Sequence, residues 1–148
     1  MKKFEFPLSR VLEWRRSQAR IEAAKLARLN TELLTTEKQQ KNLIGEFDRQ
    51  REVLVRAESH TAFELTMFDE YRKSVVIDWA KLEQIRTQTR ARILKQIDVV
   101  SAKRRDLRLL ERLHDRRHTE WSVELSREID QQAEEAYLTR WRPGRIRL

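Results

Sequence analysis

Over residues 7 to 57, apolar side chains return at heptad spacing. A frame that places Leu12, Ala19, Leu26, Leu33, Gln40, Phe47 and Leu54 at a puts Leu8, Arg15, Glu22, Leu29, Thr36, Leu43, Gln50 and Ala57 at d. Ten of these fifteen positions are apolar, enough for the seam of a coiled coil. The five polar ones weaken that seam, and Gln40 at a is the kind of buried amide that fixes register. Pro7 suits a first helical turn, where its missing N–H costs nothing. One helix of about 50 residues is therefore predicted, running from there to the neighbourhood of Ser59-His60-Thr61.

Thr61-Ala62-Phe63-Glu64 has the form of a capping box. In it the Thr61 hydroxyl accepts from the Glu64 amide, and the Glu64 carboxylate reaches back to the Thr61 N–H. A second helix is predicted over 62–141, with an apolar stripe through Trp79, Leu82, Ile93, Ile97, Val100, Leu107, Leu110, His114, Trp121, Leu125 and Ile129. Its steps of three, four and seven suit one seam, and the step of eleven is three turns. Trp141-Arg142-Pro143-Gly144 stops it, leaving 142–148 as a flexible tail.

Each stripe needs an apolar partner, and only about four residues, 58–61, separate the two helices. The fold class this implies is all-α: a long antiparallel two-helix coiled coil, a helical hairpin forming one domain over 1–148. At 1.5 Å per residue the first helix spans roughly 75 Å and the second roughly 120 Å. Either the second helix overhangs or it bends, the candidate bend being Ser74-Val75-Val76-Ile77 with Asp78 as a cap. In both cases Trp121, Leu125, Ile129, Ala133 and Ala136 lack a full partner within the chain.

Composition narrows the function classes. Charged residues make up 38% and hydrophobic ones 39%, only 7% of all residues being aromatic, which leaves little to fill a thick enzyme core. Two glycines and two prolines cannot serve the turns of a many-stranded fold. Without cysteine there is no disulfide, thiolate zinc site or cysteine nucleophile. No apolar run approaches the roughly 20 residues of a membrane span, and the N-terminus lacks the apolar stretch of a secretory signal. A cytoplasmic, soluble chain is expected.

Chemistry-bearing clusters are few. His114 and His118 have metal-ligand spacing on one helical face, but no Glu follows His114 as HExxH requires, and no third ligand is evident. No phosphate-cradling glycine loop and no GxSxG elbow occur. Neither catalysis nor a cofactor or metal is expected.

Charge is distributed unevenly. Residues 86 to 117 hold eleven basic and four acidic side chains, a net of +7 centred on Lys103-Arg104-Arg105 and Arg108; residues 118 to 138 carry a net of −5. The plain reading is a solvated helix face laced by i,i+4 pairs. The sharper reading is that Arg104, Arg105 and Arg108 seek an acidic partner. Nucleic acid is one such partner, but the acidic band that follows and the lack of a known DNA or RNA module favour an acidic protein surface. Trp14 and Trp121 are expected to cover the seam. The alternative is that they mark a docking end, built from the paired termini, with aromatic and Arg anchors.

Phe4-x-Phe6-Pro7-Leu8-x-x-Val11-Leu12 near the start, Leu113-His114-Asp115-Arg116-Arg117, and Arg127-Glu128-Ile129-Asp130-Gln131-Gln132-Ala133-Glu134-Glu135-Ala136 near the end carry a likeness to a known family. On these residues the chain resembles the FliJ-type flagellar export proteins and, more distantly, their injectisome counterparts, over nearly its whole length. Family members usually read Asp-Glu where Glu134-Glu135 stand. The resemblance implies a noncatalytic antiparallel coiled coil, similar to the two-helix stalk of the rotary ATP synthase gamma subunit. Such a stalk enters a hexameric flagellar export ATPase, promotes its assembly or activity, and touches the cytoplasmic domain of the membrane export gate. It is also credited with escorting export chaperones. It further implies a place at the cytoplasmic face of the inner membrane, with Trp14, Trp121, Glu134 and Glu135 toward the ATPase and Tyr71 toward the gate. Against this stand two rivals, a coiled-coil nucleic-acid binder using 86–117 and a homodimeric structural rod; the monomeric hairpin is the reading adopted.

Overall fold

The computed structural model describes residues 2–141; the tail expected at 142–148 lies outside the described residues. Two helices account for nearly all of it, α1 (Ser9–Arg56) and α2 (Ala62–Arg140), and the described residues contain no strand. They run antiparallel as a helical hairpin. Pro7 and Leu8 form a turn that feeds α1, with the Ser9 amide donating to the Phe6 carbonyl at 3.1 Å. α2 opens with the expected capping box: the Glu64 amide donates to the Thr61 hydroxyl and the Thr61 amide to the Glu64 carboxylate, each at 3.2 Å.

Contacts group the chain into two compact units. One joins the residues up to Gln18 with those from Arg104 onward; the other is Ala19–Lys103. In the second unit the register is set by polar pairs across the hairpin: Gln96 with Glu22, Arg92 with Glu32, Arg86 with Glu37, and Gln40 with Glu83. In the first unit Arg15 pairs with Asp106 at 3.1 Å and Arg16 with Glu111 at 3.7 Å.

The heptad frame read from α1 matches its burial. Leu12, Ala19, Leu29, Thr36 and Gln40 are buried, while Leu26, Leu33, Leu43 and Phe47 are half-buried. Leu8, Gln50 and Ala57, at the two ends of the frame, are exposed. A two-helix layer has only one inner stripe per helix, and no described side chain is fully buried.

On α2 the apolar stripe needs correction. The gap of eleven between Leu82 and Ile93 is bridged by Arg86, half-buried, and Thr89, only 3% exposed. Gln96, not Ile97, faces α1: its amide donates to the Glu22 carboxylate at 2.6 Å and to the Glu22 carbonyl at 3.0 Å, while Ile97 is 43% exposed. Arg86 and Gln96 occupy seam positions with partners on the facing helix, Glu37 and Glu22, and Thr36 is satisfied by its own backbone through the Glu32 carbonyl. Asp78 caps no new helix at Ser74-Val75-Val76-Ile77. α2 runs through it without interruption and turns Val75 inward.

Gly45 sits inside α1, and a Cβ built there meets nothing within 4 Å. Glycine in a helix interior costs about 1 kcal/mol relative to alanine. Gly45→Ala is therefore expected to raise stability by about 1 kcal/mol in urea unfolding, with an unchanged m-value.

Candidate functional site

The first unit ends in a helix that outlasts its partner. α1 begins at Ser9, and the segment before it, Lys2 to Phe6, takes over the inner face of α2. Phe4 and Phe6 are two apart, so in an extended segment they face the same way. Phe4 packs edge-on to His114 (5.5 Å between ring centroids) and His118 (5.0 Å) and lies 5.7 Å from Trp121; Phe6 meets His114 at 5.1 Å. The Trp121 indole N–H donates to the Lys2 carbonyl at 3.2 Å. His114 and His118 are therefore packing partners of phenylalanines, and no group of three metal-ligating side chains occurs among the described residues.

Beyond Trp121 the covering stops. Leu125 is half-buried, and every residue from 126 to 140 is exposed, Ile129, Tyr137 and Leu138 among them. From 122 to 140 there are five carboxylates, Glu134 and Glu135 included, and two arginines. This is an acidic continuation of an apolar stripe, with no partner among the described residues.

The other residues singled out from the sequence fall apart from it. Trp14 does not cover the seam: two residues past the inward Leu12, it is 52% exposed, with the Arg15 guanidinium 5.0 Å from its ring centre. Arg104, Arg105 and Arg108 lie exposed on α2, where the Arg108 Nε donates to the Arg104 carbonyl. Tyr71 belongs to the second unit, stacked at 6.1 Å on Phe47, with Phe68 beside both. Phe68 and Tyr71 border an open groove of about 570 Å³ next to the hinge, lined also by Val53, Leu54, Phe63 and Met67.

The clasp of Phe4 and Phe6 on the two histidines was not anticipated as a contact, although the Phe-x-Phe alternation was its signal. At the hinge, Tyr71 and Phe47 both stand near the tip in the sequence, and Phe68 joins them only through the packing of the two helices.

Carboxyls at the polar seam titrate abnormally. The hydrogen bond from Gln96 holds Glu22 below the ordinary glutamate value of 4.5, and the hydrogen bonds from Gln40 and then Arg86 do the same for Glu83. A depressed folded-state value means a contribution present above the unfolded value and lost as pH falls through the folded one. Thermal melts are expected to hold their midpoint down to the ordinary carboxylate range and to drop below it. Glu22→Gln combined with Glu83→Gln reduces that drop without abolishing it, because Glu46 beside Arg49 and Asp69 beside Arg72 are held low as well.

No family model, no curated protein and no solved structure matches the chain. No helix among the described residues is long and apolar enough to cross a membrane.

Proposed function

We propose that the chain is a noncatalytic coiled-coil stalk of a flagellar type III export apparatus, working at the cytoplasmic face of the inner membrane. The reading rests on the family resemblance, and one observation supports it: α2 continues past Trp121 as a helix exposed from 126 to 140, whose apolar stripe has no partner among the described residues. A helix in that condition is stabilised by a groove or ring that supplies the missing face. The central hole of a hexameric export ATPase is such a ring. Its contacts would be Trp121, Glu134 and Glu135, with Trp14 nearby in the same unit, and Tyr71 by the hinge would meet the export gate. Escort of export chaperones follows from the same resemblance.

One stalk in a six-fold ring cannot touch all subunits alike. Its effect arises from differential affinity for subunit conformations, since equal binding to every state shifts nothing. The rival nucleic-acid reading has less to stand on, because Arg86, Arg90, Arg92 and Arg116 of the basic band are engaged by Glu37, Glu32 and Glu120. The test is to isolate the tagged chain from its native cell, look for a hexameric ATPase with it, and measure whether the pure chain raises that ATPase's turnover. A co-purifying but unstimulated ATPase, or none, counts against the proposal.

A further inference from the structure

We propose that the outer face of α2 over 104–112 is a binding surface for anionic phospholipid headgroups. The carboxylates near it are used elsewhere: Asp106 is taken by Arg15, Glu111 by Arg16, and Asp115 lies against the His114 ring at 3.2 Å. Arg104, Arg105, Arg108 and Arg112 are left with no carboxylate in ion-pair range among the described residues.

Arg105, Arg108 and Arg112 stand at steps of three and four, so they line one helix face over about 10 Å. Like charges at this spacing repel and weaken a helix, a cost that an anionic surface removes. Guanidinium groups suit phosphate oxygens, which they can grip with two parallel hydrogen bonds.

A membrane is favoured over nucleic acid by what stands in the middle of the row. Leu109, four residues after Arg105 and three before Arg112, is 61% exposed. A leucine encircled by guanidiniums gains nothing from a phosphodiester backbone, whereas at a bilayer surface it reaches the boundary of the acyl chains while the arginines stay among the headgroups. From 101 to 113 there is also no aromatic side chain on which a base could stack.

The inference does not depend on the ATPase reading, because it is tested with the full chain alone. Sedimentation with vesicles of phosphatidylcholine containing about 30% phosphatidylglycerol, against phosphatidylcholine alone, reads the binding directly. Binding only to the anionic vesicles is expected, with a loss of at least about tenfold in Arg105→Gln/Arg108→Gln/Arg112→Gln and a loss of roughly threefold in Leu109→Ser. All four positions are on the surface, and circular dichroism confirms that the variants keep their helicity. The proposal is overturned by equal binding to both vesicles, by anionic binding that survives the triple substitution or is indifferent to Leu109→Ser, or by tighter binding to random-sequence duplex DNA at the same salt.

Discussion

Removing the chain from residue 126 onward is expected to leave the hairpin as stable as before and to abolish stimulation of the partner ATPase. From 126 to 140 every side chain is exposed, and the side-chain hydrogen bonds there, such as those of Ser126 to the Ser122 carbonyl and Thr139 to the Glu135 carbonyl, stay within α2. An element that buries nothing against its neighbours adds little to the folding free energy. The midpoint of thermal unfolding should therefore move by no more than a degree or two, a shift worth about 0.5 kcal/mol. Circular dichroism should lose the signal of the missing turns and no more. Function is different, because the stripe through Leu125 and Ile129 is the part of the helix with a face still to be filled. Stimulation that survives the truncation would place the ATPase contact elsewhere on the chain. A large fall in melting temperature would mean instead that the segment is packed against something in the free protein.

Leu12→Ala should have the largest effect on the fold. Leu12 is only 4% exposed, in a layer so thin that few side chains are buried as well. Truncating a buried leucine to alanine costs about 2–5 kcal/mol, the spread reflecting how far the site can collapse. Two helices can close partly over the gap, which favours the lower half of that range. A loss of about 2–3 kcal/mol lowers the melting midpoint by roughly 4–12 °C in a chain of this size. The same substitution at Leu34, outside the seam and 66% exposed, provides the control. It should change stability by less than about 0.5 kcal/mol. Equal effects at the two positions would mean that the inner stripe has been misassigned.

These two expectations draw on different sources. Leu12 could be placed inward from the heptad spacing alone, because a helix repeats every 3.6 residues whatever surrounds it. The capping box at Thr61 and Glu64 was legible for the same reason, being closed by groups three residues apart. The α2 seam was harder to see. Arg86 and Gln96 look like surface residues until their partners are known, and the partner of Gln96 is Glu22, 74 residues away. Gln96 follows Thr89 and Ile93 and precedes Val100 at the steps of three and four that keep one seam, and Ile97 falls beside it.

The candidate surfaces divide similarly. That the basic band exists is a fact of the sequence, but which of its arginines are free depends on which carboxylates come within reach. Arg86, Arg90 and Arg92 meet Glu37 and Glu32, whereas Arg104, Arg105, Arg108 and Arg112 meet none among the described residues. Likewise the excess length of the second helix could be computed from residue counts, but its form could not. A bend at 74–77 and an overhang beyond Trp121 satisfy the same arithmetic.

By itself the sequence determined the two helices, the hinge at Thr61 and the inner stripe of α1, because each follows from backbone periodicity and from bonds between near neighbours. Only the tertiary structure decided the polar pairs of the seam, the clasp of Phe4 and Phe6 on α2, the exposed helix from 126 to 140 and which arginines meet no carboxylate among the described residues. Those depend on side chains many residues apart competing for the same partners, and that competition is resolved only when the two helices are side by side.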